Sequence, residues 1–163
     1  MKKLIVIAAA ILLTFSAFAQ DSRSIYNKFS DEPGVSAVYI SPSMFKMIGK
    51  IPSIELGDNE KMDITPIIKS LKGFYLLSSS NRDVKERMSA DVKRFINSGK
   101  FELMMEAKDS GDAVRIYTTG NDNIIESFVM MATDNSETTF ISMDGLINRS
   151  DFEKLIGAAM DNF

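Results

Sequence analysis

Histidine, cysteine and tryptophan are absent from the chain, and each absence closes a chemistry. Without histidine there is no Ser-His-Asp triad and no imidazole metal site; without cysteine there is no thiolate nucleophile and no thiolate zinc site. No disulfide can form either, so stability in an oxidising compartment has to come from packing. The catalytic repertoire contracts to carboxylates, lysine, serine and tyrosine. Positive charge is also in deficit, with 19 Lys and Arg against 22 Asp and Glu for a net charge of −3. That balance argues against nucleic acid and anionic membrane as partners, because both favour a basic surface. Nor is there a long hydrophobic run. Leu4 to Leu13 is uninterrupted, but even extended to Ala19 the segment falls short of the roughly 20 apolar residues that span a bilayer.

What that segment does carry is the three-part pattern of an export signal. Lys2 and Lys3 supply the positive start, LIVIAAAILL the apolar core, and Ala17-Phe18-Ala19 the small-x-small cleavage site. Residues 1–19 therefore read as a cleavable signal peptide, with the mature protein beginning near Gln20. A lipid anchor would need a cysteine at the cleavage site, so the expected product is not a lipoprotein. It is periplasmic or secreted, and free of any membrane anchor after cleavage. Taking 19 residues from 163 leaves 144, the usual size of one domain with a single core. Losing two lysines moves the net charge to −5.

Along residues 20–163 the hydrophobic period alternates between helical and strand-like. Ile25, Tyr26 and Phe29 suit one amphipathic helix, ended by Asp31-Glu32-Pro33-Gly34, and Val35 to Ile40 reads as a strand apolar on both faces. Ser41-Pro42 opens a second helix as N-cap and first helical residue. Pro52 to Asp63 is polar and aperiodic, which predicts a long exposed loop. A short helix with Ile64, Ile67, Ile68 and Leu71 inward follows, released by Gly73 into a strand over Phe74 to Ser78. The strongest helix starts at Ser79-Ser80-Asn81 and runs to about Asn97, with Val84, Met88, Val92, Phe95 and Ile96 on one side. Four strands then succeed one another, over 101–108, 113–119, 124–133 and 137–144. They are joined by Asp, Asn, Ser and Gly turns that suit hairpins. A last helix, capped by Asn148 or Ser150, carries Phe152, Leu155, Ile156 and Ala159. The class is α+β: an antiparallel sheet of about six strands with a C-terminal four-strand meander, and helices packed on one face.

Candidate sites are few. Glu102 and Glu106 share a face if the first meander strand alternates regularly, with Lys108 beside them and Arg115 on the neighbouring strand. Such a set makes either a polar site or plain cross-strand ion pairs. The Asp and Asn turn clusters lack the regular calcium-loop spacing, and the adjacent pairs Met104-Met105 and Met130-Met131 point to opposite faces, so neither pair chelates copper. No cofactor and no metal is expected. Met104 and Met131, if both lie on the exposed side of the sheet, form an adaptable apolar surface for a partner.

The meander also carries a resemblance. Phe101-Glu102-Leu103-Met104-Met105-Glu106-Ala107-Lys108, Val114-Arg115-Ile116-Tyr117, Ile124 to Met130 and Phe140 to Ile147 together resemble domain-of-unknown-function family 4252, a family of exported Bacteroidetes proteins. The resemblance implies a small secreted or envelope α+β protein and supplies no catalytic residues. The leading expectation is a non-enzymatic binding module whose sheet face or 52–63 loop contacts an envelope protein. The alternative is a small-ligand-binding or hydrolytic protein that uses Glu102 and Glu106 in a cleft.

Overall fold

Local chemistry starts the helices close to where the sequence pattern places them. The computed structural model describes residues 21–47, 54–56 and 60–160, so the expected signal peptide, residues 1–19, lies outside the described residues. Helix α1 spans Ser22–Phe29, and the Asp21 carboxylate accepts from the Ser24 amide at 2.7 Å as its N-cap. Helix α2, Pro42–Met47, has the Ser41 hydroxyl accepting from the Met44 amide at 3.2 Å. Helix α3 is Thr65–Ser70, and the long helix α4, Arg82–Ser98, is capped by Asn81 through the amides of Asp83 and Val84. Helix α5, Arg149–Met160, begins under Asn148, whose side chain accepts from the Ser150 amide at 3.0 Å.

The strands are β1 Val35–Ile40, β2 Ile54–Leu56, β3 Glu60–Met62, β4 Leu71–Ser79, β5 Glu102–Asp109, β6 Asp112–Gly120, β7 Ile124–Thr133 and β8 Thr138–Asn148. Six of them form one wholly antiparallel sheet in the order β1-β4-β8-β7-β6-β5. The meander is its larger half, and the two earlier strands extend it beyond β8. The β5–β6 connection is a two-residue turn with Ser110 at φ 47° and Gly111 at φ 105°, the doubly positive geometry that matches strand twist.

Three expectations are corrected. The 52–63 segment is not an uninterrupted loop, because β2 and β3 pair antiparallel within it, Ile54 opposite Met62. The strand after α3 begins at Leu71 rather than Phe74. Gly73 is inside it, at a register shift, and the Tyr75 ring lies against it, since a Cβ there would lie 2.8 Å from the Tyr75 hydroxyl. The helices, finally, are divided between both faces of the sheet. Tyr75, Leu77, Val129, Met131 and Phe140 pack under α1 and α4, whereas Ile125, Phe128 and Ile147 pack with Phe45 of α2, Ile67 of α3 and Phe152 of α5. Adjacent residues such as Phe128 and Val129 point oppositely. A strand buried on both faces loses the apolar-polar alternation from which a one-sided arrangement is inferred.

One charge is part of this packing. Asp91, 1% exposed on α4, is ion-paired with Lys28 of α1 and with Arg94. It adds an ion pair to the apolar contact between α1 and α4, and its removal would leave Lys28 without its partner on α4.

Candidate functional site

The predicted polar set is only partly assembled. Strand β5 contains a bulge: Leu103 pairs with Tyr117 and Met105 with Ile116, leaving Met104 extra. Paired residues share a face, so Glu106, opposite Arg115, lies on the α4 face, while Glu102, opposite Thr118, is carried to the α5 face. The Glu106 carboxylate accepts from Arg115 Nε at 2.5 Å and sits 2.7 Å from Lys108 Nζ. These hydrogen bonds, Lys108 first and Arg115 second, hold its pKa below the usual carboxylate range. An acid fixed in its ionised form between two cations is a poor proton donor. Glu102 instead borders a cavity of about 140 Å3 with Lys100, Asp122 and Arg149. Two carboxylates on opposite faces cannot flank one scissile bond.

The bulge separates the methionines too. Met104 is 47% exposed, whereas Met131 is 8% exposed and belongs to the core beneath α4. The expected shared surface therefore does not exist. In its place Met104 and Met105 form one wall of an open groove of about 370 Å3, whose floor is Ile116 and Ile125 and whose other wall is α5, with Phe152 and Gly157. Phe152 is fixed edge-on against Phe128, ring centroids 5.3 Å apart. Arg149 and Glu153 stand at the groove, and its remaining lining is apolar. The start of α5 is held by the β6–β7 turn, where the Arg149 amide donates to the Asn123 carbonyl at 2.9 Å and Arg149 Nε to the Asn121 carbonyl at 3.0 Å.

The family comparison matches residues 26–155 to the family described as Domain of unknown function (DUF4252). The chain belongs to that family. No curated protein and no solved structure matches it. The match runs from within α1 to the middle of α5, so all six strands of the main sheet lie within the DUF4252 region. Among the described residues no three Asp or Glu side chains come together as a metal cluster, and no helix is long and apolar enough to cross a membrane.

The DUF4252 fold also encloses a polar cluster that the sequence pattern does not reveal. Asp144, on the α4 face of β8, accepts from Ser127 Oγ at 2.8 Å and Ser22 Oγ at 3.1 Å, and Ser22 Oγ is 2.7 Å from Ser142 Oγ. Burial pushes the Asp144 carboxyl above its ordinary pKa, and the two serine hydrogen bonds oppose the shift only in part. The adjacent Tyr75 phenol is raised by burial and then by the Asp144 charge, and Tyr75 stacks on Tyr39 at 5.2 Å. A carboxyl with a raised folded-state pKa stabilises the fold most below its unfolded pKa, and that contribution is lost as pH rises through the folded value. At neutral pH the ionised Asp144 is therefore a cost. Asp144→Asn keeps the acceptor for both serines, and it is expected to raise Tm at pH 7 by about 3 °C, the scale of a ~1 kcal/mol gain. The difference from the parent should vanish near pH 3, as measured by thermal melts of both proteins across that range.

Proposed function

We propose that the protein is an exported, non-enzymatic binding module of the cell envelope, and that the groove between α5 and strands β5 to β7 receives an apolar segment of another envelope protein. The observation that carries this reading is the open groove itself, with an exposed methionine at its rim and Phe152 and Ile125 inside. Methionine adapts its shape to different partners, and an amphipathic helix or strand laid in such a groove is a common mode of recognition. Export is supported by Lys2, Lys3, the Leu4 to Leu13 run and the Ala17-Phe18-Ala19 cleavage pattern. The absence of cysteine leaves no residue to acylate, so the processed protein is free in the periplasm or released. The Bacteroidetes origin belongs to the same reading. A hydrolytic role loses its basis once Glu102 and Glu106 stand on opposite faces.

The test places a photo-crosslinking residue at Met104 and, as a control, at the exposed Glu86 of α4, in cells of the native host. A discrete adduct with an envelope protein from position 104, absent from position 86 and lost with Phe152→Asp, is the expected result. Equal adducts from both positions, or none from 104, would remove the groove from consideration. Sequencing of the processed chain should begin at Gln20.

A further inference from the structure

The α4 face, opposite the groove just described, holds a second cleft. It opens between α4 and strands β6 and β7, with a volume of about 330 Å3 and a floor of Val92, Ile96 and Met131. Arg115 and Tyr117 line it as well. A shallower recess of about 370 Å3 continues it, with Ser89, Lys93 and Thr133 bordering both, and reaches Thr138.

An exposed cation and a buried hydroxyl come together where the parts join. Arg115 is occupied by Glu106, and Lys85 donates to the carbonyls of Asp134 and Asn135 at 3.1 and 3.2 Å. Lys93, by contrast, makes no ion pair with a described residue. Thr138 is 0% exposed, yet its hydroxyl has no hydrogen-bond partner among the described residues, a condition that buried polar groups seldom tolerate. A free ammonium and an orphan hydroxyl at the head of an apolar floor are complementary to a ligand with one anionic oxygen pair and an apolar body.

We propose that this cleft binds a small amphipathic carboxylate. Its head group lies at Lys93, Thr133 and Thr138, and its apolar body lies over Val92, Ile96 and Met131 toward Tyr117. One available cation matches a monoanion rather than a polyanion, and the net negative charge of the chain disfavours more highly charged anions. The cleft volume falls at the small end of the roughly 300–1,000 Å3 usual for small-molecule sites, which suits a chain of medium length rather than a long-chain lipid.

Calorimetric titration of the purified protein with octanoate, and in parallel with 1-octanol, tests the assignment. Saturable one-to-one binding of octanoate is expected, with octanol at least tenfold weaker. Lys93→Gln should weaken octanoate about tenfold, the size of a lost charged hydrogen bond, whereas Lys154→Gln on α5 should change nothing. Thr138→Val gives opposite signs in two readouts: the unliganded protein melts higher because the orphan hydroxyl is gone, and octanoate binds more weakly. The proposal is overturned if octanoate does not bind at millimolar concentration, if octanol binds equally, or if both cleft variants bind octanoate like the parent. Because the cleft and the α5 groove are on opposite faces, crosslinking at Met104 and octanoate binding succeed or fail separately.

Discussion

Gly120→Ala is expected to lower unfolding free energy by roughly 2–4 kcal/mol, combining a strained backbone with a steric conflict. Gly120 ends β6 at φ 140°, a region that residues with a side chain rarely adopt. A Cβ there would collide with the Ile124 carbonyl oxygen and lie 3.0 Å from the Ile125 Cα. Both obstacles are backbone, so no rotamer change relieves them. The Ile124 carbonyl also accepts from the Asn121 amide at 2.9 Å, and Asn121 Oδ1 receives the amides of Asn123 and Ile124. Displacing this turn displaces Arg149 and the start of α5, so the variant should lose Met104 crosslinks along with stability. Urea unfolding measures the effect as a lower midpoint at unchanged slope. Gly157→Ala is the reference, since a Cβ at that helical position meets nothing within 4 Å, and it should stabilise α5 by about 0.5–1 kcal/mol. A Gly120 variant as stable as the parent would mean that the turn has another conformation.

Phe140→Ala should cost about 3–5 kcal/mol, the usual range for deleting a buried aromatic ring. Phe140 is 0% exposed on β8, among the residues that α1 and α4 cover. Its strand is hydrogen-bonded on both sides, to β4 and β7, so the backbone cannot collapse inward to fill the void. Against a total stability of roughly 5–15 kcal/mol for a natural domain, this removes a large fraction. Chemical denaturation monitored by circular dichroism reads it directly. A loss below about 1 kcal/mol would show that the α4 layer does not rest on this ring.

The meander and its turns were legible because their determinants are local. Asp134 shows the principle: its carboxylate accepts from the Ser136 and Glu137 amides, each at 2.6 Å, within three residues of itself. The Ser41-Pro42 start and the Asn81 cap are legible for the same reason. The faces of Glu102 and Met104 are not legible because a bulge exists only relative to a partner strand, and nothing within Leu103-Met104-Met105 announces which of the three is extra; Met131 is buried because α4 covers its face of β7. The Asp144 cluster joins residues 122 positions apart, so its burial depends on β4, β8 and α1 meeting. The division of helices between two faces was hidden because apolar residues occupy both sides of β7, and Phe128 and Val129 in isolation read as one hydrophobic run. Helix α5 was placed correctly by Phe152 and Leu155, while the side chains of Ile156 and Ala159 lie outside the described residues.

The surplus residue in β5 also gives the chain an unequal tolerance to changes of length. Deleting Met104 removes the bulge without shortening the paired part of the strand, and it returns Leu103 and Met105 to consecutive rungs of the β6 ladder. Among the described residues strand β5 is bound on one side only, so such a deletion can be absorbed as local straightening. A deletion within Thr138 to Met143 has no such slack, because every residue there is registered against β4 and β7 at once. Natural length variation among DUF4252 chains is accordingly expected at the outer edge of the meander, beside the α5 groove, and not in the strand at its heart.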